Sequence, residues 1–263
     1  SGTNVNGGSG GNIAMVAGSG HGADNTGPGG AISISAGNSN RGSGGAVALE
    51  GGTGRTRTGG SIVLRSGKSD LTTSGGIVLA TADSGKYGGS GAVMLVSGTA
   101  SQGASGKIEL VTGAATNGAA GGIALQVGTT DVGDGTPITI IAGAASSLAA
   151  AGGSVVLAAG DGTSTDTGDG GNGGTVAIVG GRGRGKGSLD RGGDVVLAAG
   201  AAAGGPGGGV EIKSGTSQNR MSGNILMATS NSGTSGVSGG VKIQTGRSQA
   251  GTSGPIALQS GSS

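Results

Sequence analysis

Gly192–Gly200 reads GGDVVLAAG, and forty residues earlier Gly152–Gly160 reads GGSVVLAAG. Both carry one pattern: a glycine, any residue, a β-branched residue, any residue, Leu or Ile, any residue, a small residue, and usually a closing glycine. Working outward, looser copies place the β-branched residue at Ile13, Ile32, Val47, Ile62, Ile77, Val93, Ile108, Ile123, Ile138, Val155, Val176, Val195, Val210, Ile225, Val241 and Ile256. The commonest step between these sixteen positions is 15 residues. In the copy Gly91–Ser105, Val93 and Leu95 alternate with Ala92, Met94 and Val96. That is the period-two signature of a strand. Ser97 continues the inward row and Gly98 turns the chain, so large, large, small reads as a taper toward a corner.

The other half of each copy is patterned in small residues. Ser39, Ser69, Ala100, Ala115, Thr130, Ala202, Ser217 and Ser248 each stand two places after a turn glycine. This register suggests a second, narrower wall packing tiny side chains against the Ile/Leu row. Fifteen residues at about 3.3 Å give roughly 50 Å of contour, enough for one flattened coil. The expected fold is therefore all-β: a parallel β-solenoid (β-helix) of about 16 coils with a 15-residue repeat, Gly-rich corners, a thin Ile/Leu/Val core and no helices. The rival is a 30-residue coil whose strands alternate between two facing sheets. Longer steps are read as corner loops inserted near 18–29, 144–153, 160–173 and 181–192, within a single domain spanning 1–263.

Composition sharpens the expectation. Seventy of 263 residues are glycine, there is no Phe or Trp, and the one tyrosine is Tyr87. Valine, isoleucine and leucine alone must then fill any core, and glycine raises the entropy cost of ordering. Runs such as Ser61–Ser66, SIVLRS, exclude a glycine-every-third helix. With no cysteine, disulfides and thiolate metal sites are excluded. Fifteen basic and thirteen acidic residues, net +2, are too balanced to imply nucleic acid or an anionic membrane. No apolar run approaches the roughly 20 residues of a membrane helix. The chain begins with Ser, shows no signal peptide, and carries no Asn-x-Ser/Thr sequon. The expectation is a processed product or a segment of something longer.

Through motifs such as GGSVVLAAG the chain resembles glycine-rich β-solenoids: the repeat tracts of secreted surface proteins, filaments and adhesins of microbes and algae. Insect antifreeze solenoids are similar in coil length. The resemblance covers nearly the whole chain, implies extracellular structural or binding work, and carries over no functional residue.

Chemistry is sparse. His21 is the only histidine, in the first insertion with Asp24 nearby, and reads as a solvated loop residue. Glu50, Glu109 and Glu211 fall on outward positions of non-adjacent copies, so no carboxylate pair forms and no enzyme is expected. Asp161–Gly174, DGTSTDTGDGGNGG, offers Asp161, Asp166, Asp169 and Asn172 as oxygen ligands for calcium. Its spacing matches neither the EF-hand loop nor the nine-residue calcium β-roll, and the expectation is no cofactor and no metal. Gly181–Arg191, GRGRGKGSLDR, carries Arg182, Arg184, Lys186, Asp190 and Arg191. It is similar to RGG-type nucleic-acid segments but brings no aromatic to stack on bases. The acidic and basic insertions are expected to pair as one protruding charged loop.

The outward row is apolar where a solvated face would be polar. Ile141, Val156, Val179, Val196 and Leu226 form the candidate assembly face. The first strand begins about a dozen residues from the N-terminus and the last ends near the C-terminus, leaving no room for a helical cap and inviting stacking through open ends. The leading function is thus a structural subunit of an extracellular filament, sheath or surface appendage. Its partners would be further copies or neighbouring surface proteins, with no nucleic acid and no membrane span. An ice-binding solenoid and a carbohydrate-binding or adhesin β-helix are the alternatives.

Overall fold

The computed structural model describes residues 11–21, 27–168 and 170–261. Among these residues there is no helix and no β-strand. The chain divides into two units, Ser1–Leu125 and Gln126–Ser263, and the same local cycle repeats in each.

The cycle begins with a stretch in which side chains alternate sides. Val195 is 51% exposed, Val196 79% and Leu197 66%. At Val155, Val156 and Leu157 the values are 52%, 80% and 68%. Ion pairs between alternate residues, Lys107 with Glu109 at 2.7 Å and Lys213 with Glu211 at 2.6 Å, need the same geometry. Alternation therefore sets a covered side and an open side, as a period of two requires. Even the covered side is half in solvent.

A loop follows, closed at its base by a single backbone hydrogen bond between glycines. In the first unit Gly45 N donates to Gly37 O at 2.9 Å, Gly60 N to Gly52 O at 2.8 Å and Gly75 N to Gly67 O at 3.0 Å. In the second, Gly208 N donates to Gly200 O and Gly223 N to Gly215 O, both at 2.9 Å. Each of these spans eight residues. The longer loops close in the same way: Gly30 on Gly18, Gly153 on Gly143, Gly174 on Gly160 and Gly193 on Gly181, at 2.8–2.9 Å. Extra residues thus enter between the two glycines and leave the closure intact.

The loop base also explains the small third residue of each copy. A Cβ added to Gly45 would stand 3.3 Å from the Ala36 Cβ, and one on Gly153 would stand 3.4 Å from the Ala142 Cβ. This position is the best covered in the repeat, as at Ala36, Ser66, Ala142, Ala159 and Ser214. Where it is glycine the base draws tighter: a Cβ on Gly51 would run into the Gly60 carbonyl oxygen, and one on Gly180 into that of Gly193.

At the tip, hydroxyls hold the bend. Gly42 N donates to Ser39 Oγ at 2.9 Å, Thr72 N to Ser69 Oγ at 2.9 Å and Arg220 N to Ser217 Oγ at 3.0 Å. These are three of the four serines that stand two places after a turn glycine. Their role is to satisfy a bend N–H, not to form a second wall against the Ile/Leu row. At the end of a bend Gly103 and Gly133 take φ of +105° and +87°, a region that suits glycine.

The expected β-solenoid is overturned, as is its 30-residue rival. A solenoid needs each copy to hydrogen-bond to the next along a ladder, and among the described residues no ladder forms. Nor is any described residue, apolar or polar, buried. The whole chain exposes 25,892 Å². At 23.7 kDa a folded monomer would expose about 9,800 Å² and the unfolded chain about 34,000 Å². Physically, alternation decides which side a residue takes but gives the backbone no partner. Aliphatic rows without aromatics bury too little area to offset the ordering of so many glycines. Nine of the repeats instead close on themselves through one short-range backbone bond. With the coils go the open solenoid ends expected as axial contacts.

Candidate assembly surface and charged loop

The five residues of the expected assembly face all lie in the second unit and all stand open. Ile141, Val156, Val179, Val196 and Leu226 are 79–87% exposed. The first four occupy the open side of successive copies, and Leu226 follows after the copy at Val210, whose open side carries Glu211 and Lys213. Ile140, Leu157, Ile178 and Leu197 on the covered side also remain exposed. The surface that sequence reasoning missed is this covered row itself. The sequence pattern assigns its residues to a core, and the signal that recovers them is the absence of large aromatics able to close one.

The two charged insertions are built differently. In the acidic one, Gly174 N closes on Gly160 O and Gly171 N donates to Ser164 O at 3.1 Å. Asp166 Oδ1 accepts from Gly168 N at 2.8 Å, so this carboxylate holds a turn. Of the four calcium candidates, Asp169 lies outside the described residues. Among the described residues no three His, Cys, Asp or Glu side chains come together as a metal site.

In the basic insertion, Gly193 N closes on Gly181 O, Asp190 N donates to Gly187 O at 3.1 Å, and Asp190 Oδ2 accepts from Gly187 N at 2.6 Å. Arg182, Arg184, Lys186 and Arg191 are exposed. The ion pairs among the described residues are Lys68–Asp70, Lys107–Glu109 and Lys213–Glu211. None of these joins the acidic insertion to the basic one.

His21 Nδ1 lies 3.3 Å from the Ser19 carbonyl oxygen on an exposed loop, and Asp24 lies outside the described residues. An open hollow of about 410 Å³ sits at the loop Gln244–Ser253, around Arg247 and Ser248. No helix among the described residues is long and apolar enough to cross a membrane. No protein-family model, curated protein or solved structure matches the chain.

Proposed function

We propose that this chain is a structural repeat protein that self-associates through its apolar rows, outside the cell or at its surface. The observation that carries the reading is the register of uncovered aliphatic side chains. From Ile32 to Ile256 each copy presents a β-branched residue that is at least half exposed. Fully burying one Val, Leu or Ile is worth about 1.5–3 kcal/mol. Covering the exposed half of each is worth about 1 kcal/mol, and more than a dozen copies offer two such residues apiece. That sum exceeds the roughly 4–15 kcal/mol that association costs. A surface with a 15-residue pitch is matched in pitch by another surface of the same pitch, which a second copy supplies. Apolar patches of this extent are ordinarily covered by a partner.

Electron microscopy of the purified chain at rising concentration tests this reading. Fibres or sheets of regular width are expected, and dispersed single particles at every concentration would refute it.

A further inference from the structure

The basic insertion has a second property, independent of self-association. Its sequence alternates glycine and cation: Gly181, Arg182, Gly183, Arg184, Gly185, Lys186, Gly187. The arm carrying them lies against the returning arm, and the glycines take the inner side. A Cβ on Gly183 would stand 2.5 Å from the Arg191 carbonyl oxygen, and one on Gly185 would run into the Asp190 carboxylate. Successive side chains of an extended arm point opposite ways, so Arg182, Arg184 and Lys186 share the outer edge at intervals of roughly 6.6 Å. The loop's one carboxylate is turned inward, held by Gly187 N. No ion pair among the described residues engages the three cations. With Arg191 the loop holds four cations against one carboxylate, in a chain whose whole net charge is +2.

We propose that this edge is a binding strip for a linear anionic polysaccharide, with sulfate or carboxylate groups lying along the arm. Guanidinium forks match both groups in bidentate geometry. With Tyr87 the only aromatic, the chain lacks the stacking platforms that single-stranded nucleic acid uses. Recognition by charge and spacing fits a glycan. Close packing of the glycine wall is what keeps the three cations on one side.

Fluorescence anisotropy of the full chain with a labelled heparin oligosaccharide at low ionic strength tests the strip. Binding is expected to weaken steeply as salt rises. Arg182→Gln/Arg184→Gln/Lys186→Gln should weaken it by about tenfold or more. Arg55→Gln/Arg57→Gln, at another bend, should leave it within about twofold. Gly183→Ala/Gly185→Ala keeps every charge, but the new Cβ at Gly183 against the Arg191 carbonyl forces the arms apart, and binding should weaken by about threefold or more. Parent-like affinity in the triple variant or in the alanine pair would overturn the proposal. So would equal or tighter binding of a labelled oligouridylate at the same salt, which would make the strip a nucleic-acid site.

Discussion

Leu157→Asp separates this structure from a solenoid sharply. In a coil with a closed aliphatic core, an unpaired charge at this inward position would cost several kcal/mol. Here Leu157 is 68% exposed. Complete burial of a leucine is worth about 1.5–3 kcal/mol, and only about a third of its surface is covered. Removing it should therefore forfeit about 0.5–1 kcal/mol. The new carboxylate keeps most of its hydration, so no large desolvation cost is added. The nearest loop closure, Gly174 N to Gly160 O, involves neither the side chain nor its neighbours and should persist. Amide shifts of the dilute ¹⁵N-labelled chain are the assay. Changes confined to the copy around Leu157, with the Gly174 amide unmoved, are expected. Shift changes spreading through neighbouring copies would mean a shared core and would refute the reasoning.

Other outcomes follow from the loop bases and the open surface. Gly180→Ala drives a Cβ into the Gly193 carbonyl, and should break the Gly193–Gly181 closure at a cost of about 0.5–1.5 kcal/mol. Exchange of the Gly193 amide should then speed by roughly two- to twelvefold. Gly200→Ala meets no atom within 4 Å, and should be neutral or stabilising by up to about 1 kcal/mol through the unfolded chain. Exchange at Gly208 reads that case, and faster exchange there would count against the loop geometry. In dilute solution the urea dependence should be shallow. Unfolding from 25,892 Å² adds about a third of the area that unfolding a compact globule of this mass would add, so the m-value should be about a third of the globular one. A steep, cooperative transition would contradict the absence of a core.

The local cycle was legible in the sequence, and its assembly into a fold was not. Alternation at Val195–Leu197 or Val155–Leu157 reads directly as a difference in exposure between the two sides. Glycines such as Gly37, Gly52 and Gly67, placed at turns from spacing alone, carry the closing bonds. Both features depend on residues within one repeat, where composition and conformation are tightly linked. A ladder depends on pairing between repeats, and a period of 15 is equally compatible with copies that stack and copies that do not. Ser39, Ser69 and Ser217 show the same limit on a smaller scale. Their regular spacing marked them as important, but small polar residues at fixed register fit a packed wall as well as a bend cap. The hydroxyl bonds to Gly42, Thr72 and Arg220 decide for the cap. In the candidate site, the apolar open row was readable residue by residue. Exposure of the opposite row was not, because an Ile/Leu periodicity is the same whether or not anything covers it.

The proposed function turns on whether those rows find a second copy. Sedimentation of the chain over a wide concentration range, beside the variant Val156→Asp/Val196→Asp, measures this most directly. Both side chains are about four-fifths exposed, so the variant should leave the isolated chain unchanged. The parent should pass from 23.7 kDa to larger species as concentration rises, while the variant holds the monomer mass to markedly higher concentration. A parent that stays monomeric throughout, or a variant that associates equally well, would contradict self-association through the apolar rows.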